Sequence, residues 1–391
     1  MDTLIKHHIS LLESGRPHFP RRLAERINWE ERLICIKGFR GVGKTAFLLD
    51  HIRAAHGNDR SVMYVNLNNF YFTRRRLFSF ADEFSKLGGR VLFLDQVNKY
   101  PGWSEELRQC YHEIPGLKIV FTASPVLRVS DENPDLHGIV SLYHLEGLSF
   151  REYLNIQTGS HFEPLTFGEI LSGHVERARE ITSAVKPLAY FAEYLRTGFY
   201  PYFTGDGDFY SDKLLKNINL ALEIDIPYIN QMELKYLPRM RKLLYLVAAE
   251  SPLAPNVSKL ASAIGTSRAT VMNYLNYLRN ARLIRLLYHN GDEGPARKPL
   301  RIFMYDTNIL HAIAPESADQ ANLRQTFFCN QVGARHRLQA SPAGGFLVDG
   351  EHAFAVGGRK TEASGGGYAA ADMIETGEGH RIPLWLFGFL Y

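Results

Sequence analysis

The chain has 391 residues, 45% of them apolar, a formal net charge of +4 and three widely spaced cysteines, Cys35, Cys110 and Cys329. That length predicts two to four domains. The cysteine spacing excludes a disulfide framework or a cysteine-paired zinc site, no apolar run is long enough to span a bilayer, and the mild positive charge permits nucleic acid without demanding it.

The scattered cysteines suggest a reducing cytoplasm, and the N-terminal residues Met1-Asp2-Thr3-Leu4-Ile5-Lys6-His7-His8 lack a signal-peptide pattern. His7 and His8 are too short a cluster to indicate a metal. After a helical segment over residues 1–30, Gly38-Phe39-Arg40-Gly41-Val42-Gly43-Lys44-Thr45 fits the G-x-x-x-x-G-K-[ST] phosphate loop without a mismatch. An apolar strand precedes it at 32–37 and a helix follows from Ala46. Glycines let backbone wrap a phosphate chain, their N–H groups make an anion nest, and the helix adds its positive end. Gly38, Arg40, Gly41, Val42, Gly43, Lys44, Thr45 and Ala46 are therefore the candidate ATP-binding residues. Lys44 should reach the β- and γ-phosphates, and Thr45 should offer a hydroxyl to Mg2+.

Further short apolar strands are predicted at 61–65, 90–94, 118–122 and 140–145, separated by amphipathic or loop-like segments. That alternation predicts a parallel sheet covered by helices on both faces, with ligands at the carboxyl ends of its strands. The third strand ends in Asp95, the candidate Mg2+ partner of Thr45. The run Arg74-Arg75-Arg76 reads as a solvated face.

Three stretches then carry a resemblance. They are Asp95-Gln96-Val97-Asn98-Lys99-Tyr100-Pro101-Gly102-Trp103, Lys118-Ile119-Val120-Phe121-Thr122-Ala123-Ser124 and Leu145-Glu146-Gly147-Leu148-Ser149-Phe150-Arg151-Glu152-Tyr153. Together with the closing Ile382-Pro383-Leu384-Trp385-Leu386-Phe387-Gly388-Phe389-Leu390-Tyr391, they resemble a prokaryotic family of AAA-type P-loop ATPases with a C-terminal domain of unknown function. The resemblance covers nearly the whole chain.

Departures from that family are informative. Where the family has a glutamate that polarises water, this chain has Gln96. An amide can orient water but is a very poor proton acceptor. Thr122 can still sense the γ-phosphate, but Pro125 removes a backbone donor. The arginines that the family tends to place before the fifth strand are replaced by Leu136-His137-Gly138-Ile139. Arginine fingers can be worth ~10³–10⁵ in rate. These departures predict ATP–Mg2+ binding with slow or absent hydrolysis. The alternative is a finger from Arg128, Arg151 or a neighbouring subunit.

Residues 151–237 read as helices with loops, at 175–182, 189–196 and 214–224, the last stopped by Ile224-Asp225-Ile226-Pro227. The resemblance implies a helical lid here. The aromatic turn Gly198-Phe199-Tyr200-Pro201-Tyr202-Phe203 reads as core packing.

In 238–304, a short helix ends at Gly265 and a second, capped by Thr266-Ser267, runs over 268–280. Strands at 282–288 and 300–303 would flank a polar loop containing Gly291, Gly294 and Pro295, completing a winged helix. Val271, Leu275 and Leu278 should face the core, leaving Asn273, Asn276 and Asn280 outward. Asparagine can pair with adenine, and Arg268, Arg279 and Arg282 could meet phosphates, so duplex DNA is a candidate partner. A docking role is the alternative, since the positive charge is only moderate.

Residues 305–391 predict a mixed α/β domain with a hairpin at 345–349 and 352–358, a mobile loop at 362–367 and a late strand at 381–386. The resemblance implies a metal-dependent nuclease-like fold, yet Gly345 and Ala355 stand where related sequences carry carboxylates. Asp349, Glu351, Asp372 and Glu375 do not rebuild the motif, so a structural or partner-binding domain is expected.

The fold class expected is α/β: an AAA-type P-loop NTPase parallel sheet (31–150), a helical lid, a winged helix and a C-terminal mixed α/β domain. The function expected is an ATP–Mg2+-dependent switch reporting to a protein partner. Alternatives are an active ATPase coupled to DNA and an interaction scaffold with structural ATP. Partner and oligomeric state are not legible.

Overall fold

The computed structural model describes residues 1–14, 20–129, 133–204, 209–289, 294, 297–341, 344–363 and 365–391. These residues group into two compact units, Met1–Glu146 and Gly147–Tyr391.

The first unit opens with α1 (Asp2–Glu13) and α2 (Leu23–Arg26). Then follow β1 (Leu33–Lys37), α3 (Lys44–Ala55), β2 (Val62–Asn66), α4 (Leu77–Lys86), β3 (Val91–Asp95), α5 (Trp103–Glu113), β4 (Lys118–Ala123) and β5 (Ser141–His144). The five strands form one parallel sheet in the order β2-β3-β4-β1-β5. Leu33, Ile34, Cys35 and Ile36 are all essentially inaccessible, as a strand covered on both faces requires. This is the α/β parallel sheet expected, each strand lying within a residue or so of its expected place. Because β1 lies between β4 and β5, and β3 beside β4, the ends of β1, β3 and β4 share one edge of the sheet.

The outer strand β2 is covered by α1. The Tyr64 amide donates to His8 Nδ1 at 3.1 Å, so the histidine ring satisfies a main-chain donor that has no neighbouring strand. Arg75 pairs with Glu83 and Arg76 with Glu106 on the solvated face expected of that run.

The second unit begins with α6 (Phe150–Thr158) and α7 (Phe167–Ala184), each opened by a reciprocal capping box: Ser149 with Glu152, and Thr166 with Glu169. Next come α8 (Pro187–Glu193) and α9 (Tyr210–Leu220). The expected stop at Pro227 does not occur. A π turn over Ala221–Asp225 leads straight into α10 (Ile226–Asn230), with Pro227 in its first turn. Proline cannot donate a main-chain hydrogen bond, and the wider π turn lets the chain pass its ring. The aromatic segment after α8 packs inward: Phe199 and Tyr200 are buried.

The chain continues through α11 (Leu237–Ala249), α12 (Val257–Ile264) and α13 (Arg268–Asn280). Asn256 caps α12, left-handed Gly265 ends it, and the Ser267 hydroxyl accepts from the Thr270 amide to start α13. β6 (Ile284–Leu287) and β7 (Arg301–Met304) pair antiparallel, and Leu253 bridges to Ile302. Gly291 and Pro295 of the loop between them lie outside the described residues.

After α14 (Thr307–Ile313) and α15 (Gln320–Val332) come β8 (Leu338–Ala340), β9 (Phe346–Val348), β10 (His352–Gly357), β11 (Tyr368–Ala371) and β12 (Arg381–Pro383). They form a mixed sheet in the order β12-β11-β10-β9-β8, antiparallel from β8 to β10 and parallel from β10 to β12. The late strand is shorter than expected. After Pro383 the chain turns into a buried 3-10 helix, Leu384–Phe389, which keeps its apolar residues inside without a strand partner. Ser364, in the expected loop 362–367, lies outside the described residues.

Candidate functional site

The phosphate loop lies between β1 and α3. Gly43 caps the helix with φ of 97°, a backbone conformation that a side chain disfavours. Gly38 donates its N–H to Ala123 O and sits so close to β5 that a Cβ there would lie 2.6 Å from Leu145 O. Lys44 opens α3, and its ammonium donates to the carbonyls of Gly38 (2.6 Å) and Phe39 (2.9 Å). Val42 is buried, while Arg40, Gly41, Thr45 and Ala46 are half-buried. The loop residues expected from the motif are thus gathered around one turn.

Asp95, at the end of β3, is 1% exposed. Its carboxylate accepts from three hydroxyls: Thr45 Oγ1 at 2.6 Å, Tyr64 OH at 2.8 Å and Thr122 Oγ1. Thr45 and Asp95, paired from the motif alone, therefore meet. A hydroxyl beside a buried carboxylate is an all-oxygen pair suited to a hard divalent cation. Thr122 is fully buried at the end of β4, and its hydroxyl both donates to Asp95 and accepts from the Gln96 amide at 3.0 Å. It is committed to holding these two residues. Gln96 is half-buried and adopts φ 59°, ψ 45°, a left-handed conformation that costs a non-glycine residue roughly 1–3 kcal/mol.

Two residues at the site escaped sequence reasoning. Tyr64 comes from β2, and only the order of strands places it near Asp95. Arg21 donates to Val42 O at 3.0 Å and to Glu146 O at 2.7 Å, bracketing the phosphate loop and the segment after β5. No motif surrounds either one.

The arginines considered as fingers differ. Arg128 is exposed. Arg151 is buried in α6, donating to Phe162 O at 2.9 Å and Tyr391 O at 3.1 Å, so its guanidinium is fixed within the second unit.

On α13, Val271, Leu275 and Leu278 are fully buried, as expected. Arg268, Asn273 and Asn280 are exposed. Asn276 is a correction: it is only 7% exposed, and its Nδ2 donates to Met272 O at 2.9 Å. The helix packs on α11, α12 and β6, so its covered arc is wider than one apolar stripe and takes in Asn276.

Gly345 and Ala355 come together across the β9–β10 hairpin, where a Cβ on Gly345 would lie 3.7 Å from the Ala355 Cα. No group of three or more His, Cys, Asp or Glu side chains suited to a metal occurs among the described residues. Among these residues, no helix is long and apolar enough to cross a membrane. The three cysteines are buried and free.

Residues 30–154 match the family described as an AAA domain, and residues 188–320 match a domain of unknown function, DUF8612. The core is accordingly an AAA-type P-loop fold. Over 289 residues the chain is 23% identical to an uncharacterized protein of Methanocaldococcus jannaschii, covering 70% of this chain and 61% of that protein. Solved structures with similarity include AMPPCP-bound DnaA from Aquifex aeolicus, at 17% identity, covering 68% of this chain and 90% of that one, with a TM-score of 0.24. PCH-2 of C. elegans is another, at 15% identity, covering 72% and 66% of the two chains, with a TM-score of 0.24.

Proposed function

We propose that this protein binds ATP with Mg2+ at the phosphate loop and acts as a nucleotide-dependent switch that hydrolyses ATP slowly or not at all. The observation that carries the reading is Gln96. It directly follows the buried Asp95, in strained backbone tied to Thr122, where a water-activating carboxylate would be needed. Its amide can orient a water but takes no proton usefully.

The loop amides and the N-terminus of α3 would receive the phosphates, with Lys44 turning to the β- and γ-groups. Thr45 and Asp95 would hold Mg2+, which when bound neutralises charge shared by those groups. Tyr64 and Thr122 keep the Asp95 carboxylate aimed, and Arg21 fixes the outer side of the loop.

In this reading residues 151–237 are the lid, 238–304 a winged helix and 305–391 a nuclease-like domain without nuclease activity, together reporting the nucleotide state to a protein partner in the cytoplasm. DNA coupling is the second reading, favoured by the exposed Arg268, Asn273 and Asn280 on α13. The burial of Asn276 leaves that face fewer base-reading groups. A scaffold with structural ATP would differ by negligible nucleotide exchange.

The test is ATP binding and turnover measured side by side, with and without duplex DNA at low salt. Tight binding with little turnover is expected, and Lys44→Ala should abolish binding. Turnover of order 1 s⁻¹ without a partner, the lower end of the range typical of kinases, would overturn the switch.

A further inference from the structure

A second cavity, of about 450 Å3, lies within the second unit and has no part in the nucleotide site. Its walls come from β7, α15, β9, β10 and β11, with Ser341, Gly344 and Gly345. That volume is within the range of small-molecule pockets, roughly 300–1,000 Å3.

The chemistry of the walls is uneven. Among the described lining residues, Arg301 is the charged side chain and none is acidic. Its Nη1 lies 3.4 Å from Gln325 Oε1, a long contact to a neutral group. Its Nη2 lies beside Gly344, where a Cβ would be 3.9 Å away. Ser341, Gln325 and Tyr368 add groups able to donate hydrogen bonds. Phe346 and Phe354 supply an apolar wall, and Tyr368 is stacked on Phe354 with ring centroids 5.3 Å apart.

The space is built into the backbone. Gly345 has φ of 79°, and a Cβ there would lie 2.2 Å from Phe354 O. No ordinary side chain can therefore grow from position 345 into the cavity without moving the hairpin.

We propose that this cavity is a binding site for a small oxyanion-bearing molecule, a phosphate ester or a carboxylate, gripped by the Arg301 guanidinium with its body against Phe354 and Tyr368. The planar fork of arginine matches either oxyanion bidentately. The described lining offers no carboxylate, which disfavours a metal ion. A single cation disfavours a nucleic-acid backbone, whose affinity grows with the number of phosphates neutralised.

The experiment is calorimetric titration of the full chain in Mg2+-free buffer with ribose 5-phosphate, inorganic phosphate and citrate. At least one should bind at millimolar concentration or better. Preference for ribose 5-phosphate over phosphate would identify an ester site, and preference for citrate a carboxylate site. Arg301→Gln should weaken binding about tenfold or more, the loss expected of a charge-assisted contact. Ala355→Leu, which fills the cavity from β10 and keeps the arginine, should do the same if Arg301→Gln does not fold. Lys44→Ala should leave binding intact. The proposal is overturned if none of the three probes binds, if both cavity variants bind like the parent, or if Lys44→Ala removes binding.

Discussion

At the scale of single residues, the site turns on how one buried carboxylate is held. Asp95 accepts three hydroxyl hydrogen bonds. Two of the donors, Thr45 and Thr122, stand in contiguous motifs, so the sequence exposes them. The third, Tyr64, is visible only when β2 lies against β3. Tyr64→Phe removes that donor and keeps the ring. It should weaken Mg2+-dependent ATP affinity several-fold without unfolding the protein, since one hydrogen bond to a charged group is worth about 1.5–3 kcal/mol. Titrating fluorescent ATP against Mg2+ would read this, and parent-like Mg2+ dependence would exclude a role for Tyr64. Gln96→Glu installs a proton acceptor at the same place. A positioned base contributes roughly 10²–10⁴-fold, so single-turnover hydrolysis should rise measurably. No rise would mean that the missing arginine, and not the amide, limits the rate.

At the scale of elements, contiguous signals were legible and tertiary ones were not. Buried parallel strands advertise themselves as short apolar runs, and each of the five in the first sheet was readable. The stop at Pro227 failed because the rule is local, whereas a π turn let the helix resume. Asn276 failed because a helical wheel assumes one covering neighbour, and α13 has several. The pairing of α1 with β2 was also hidden, since it rests on one ring nitrogen of His8 accepting from the Tyr64 amide. His8→Leu puts an apolar side chain in the same buried place and leaves that amide without its acceptor. Urea unfolding should show a loss of about 1–3 kcal/mol, the cost of one unsatisfied buried donor.

At the scale of the whole molecule, buried histidines in both units and one buried carboxyl respond to acid with opposite signs. His8, His51 and His56 in the first unit all titrate below the ordinary 6.5, burial being the leading cause each time, and His51 falls to about 4. His51 is stacked on Trp29 with ring centroids 3.5 Å apart. Unfolded, these rings would take a proton near 6.5. The first unit should therefore keep its full histidine contribution above pH 6.5 and lose it as the pH falls toward 4. Asp306, in the second unit, has the opposite sign. Burial raises its carboxyl from 3.8 to about 7, against hydrogen bonds from Ile309 and Tyr200. Its contribution is fully present below 3.8 and is lost as the pH rises through 7. Scanning calorimetry from pH 4 to 8 should show the first unit weakening in acid. Asp306→Asn removes the contribution that opposes the lowered His174 and His311, so the second unit should lose more stability on acidification between about 7 and 4 than the parent does, and an unchanged slope would exclude a role for Asp306.

The Arg21 bracket has a consequence for how this protein drifts over time. Two of its acceptors are main-chain carbonyls, at Val42 and Glu146. These contacts depend on backbone position at Val42 and Glu146 and not on the identity of those side chains. These two contacts should therefore leave no covariation between residue 21 and positions 42 or 146, although they fasten the loop from outside.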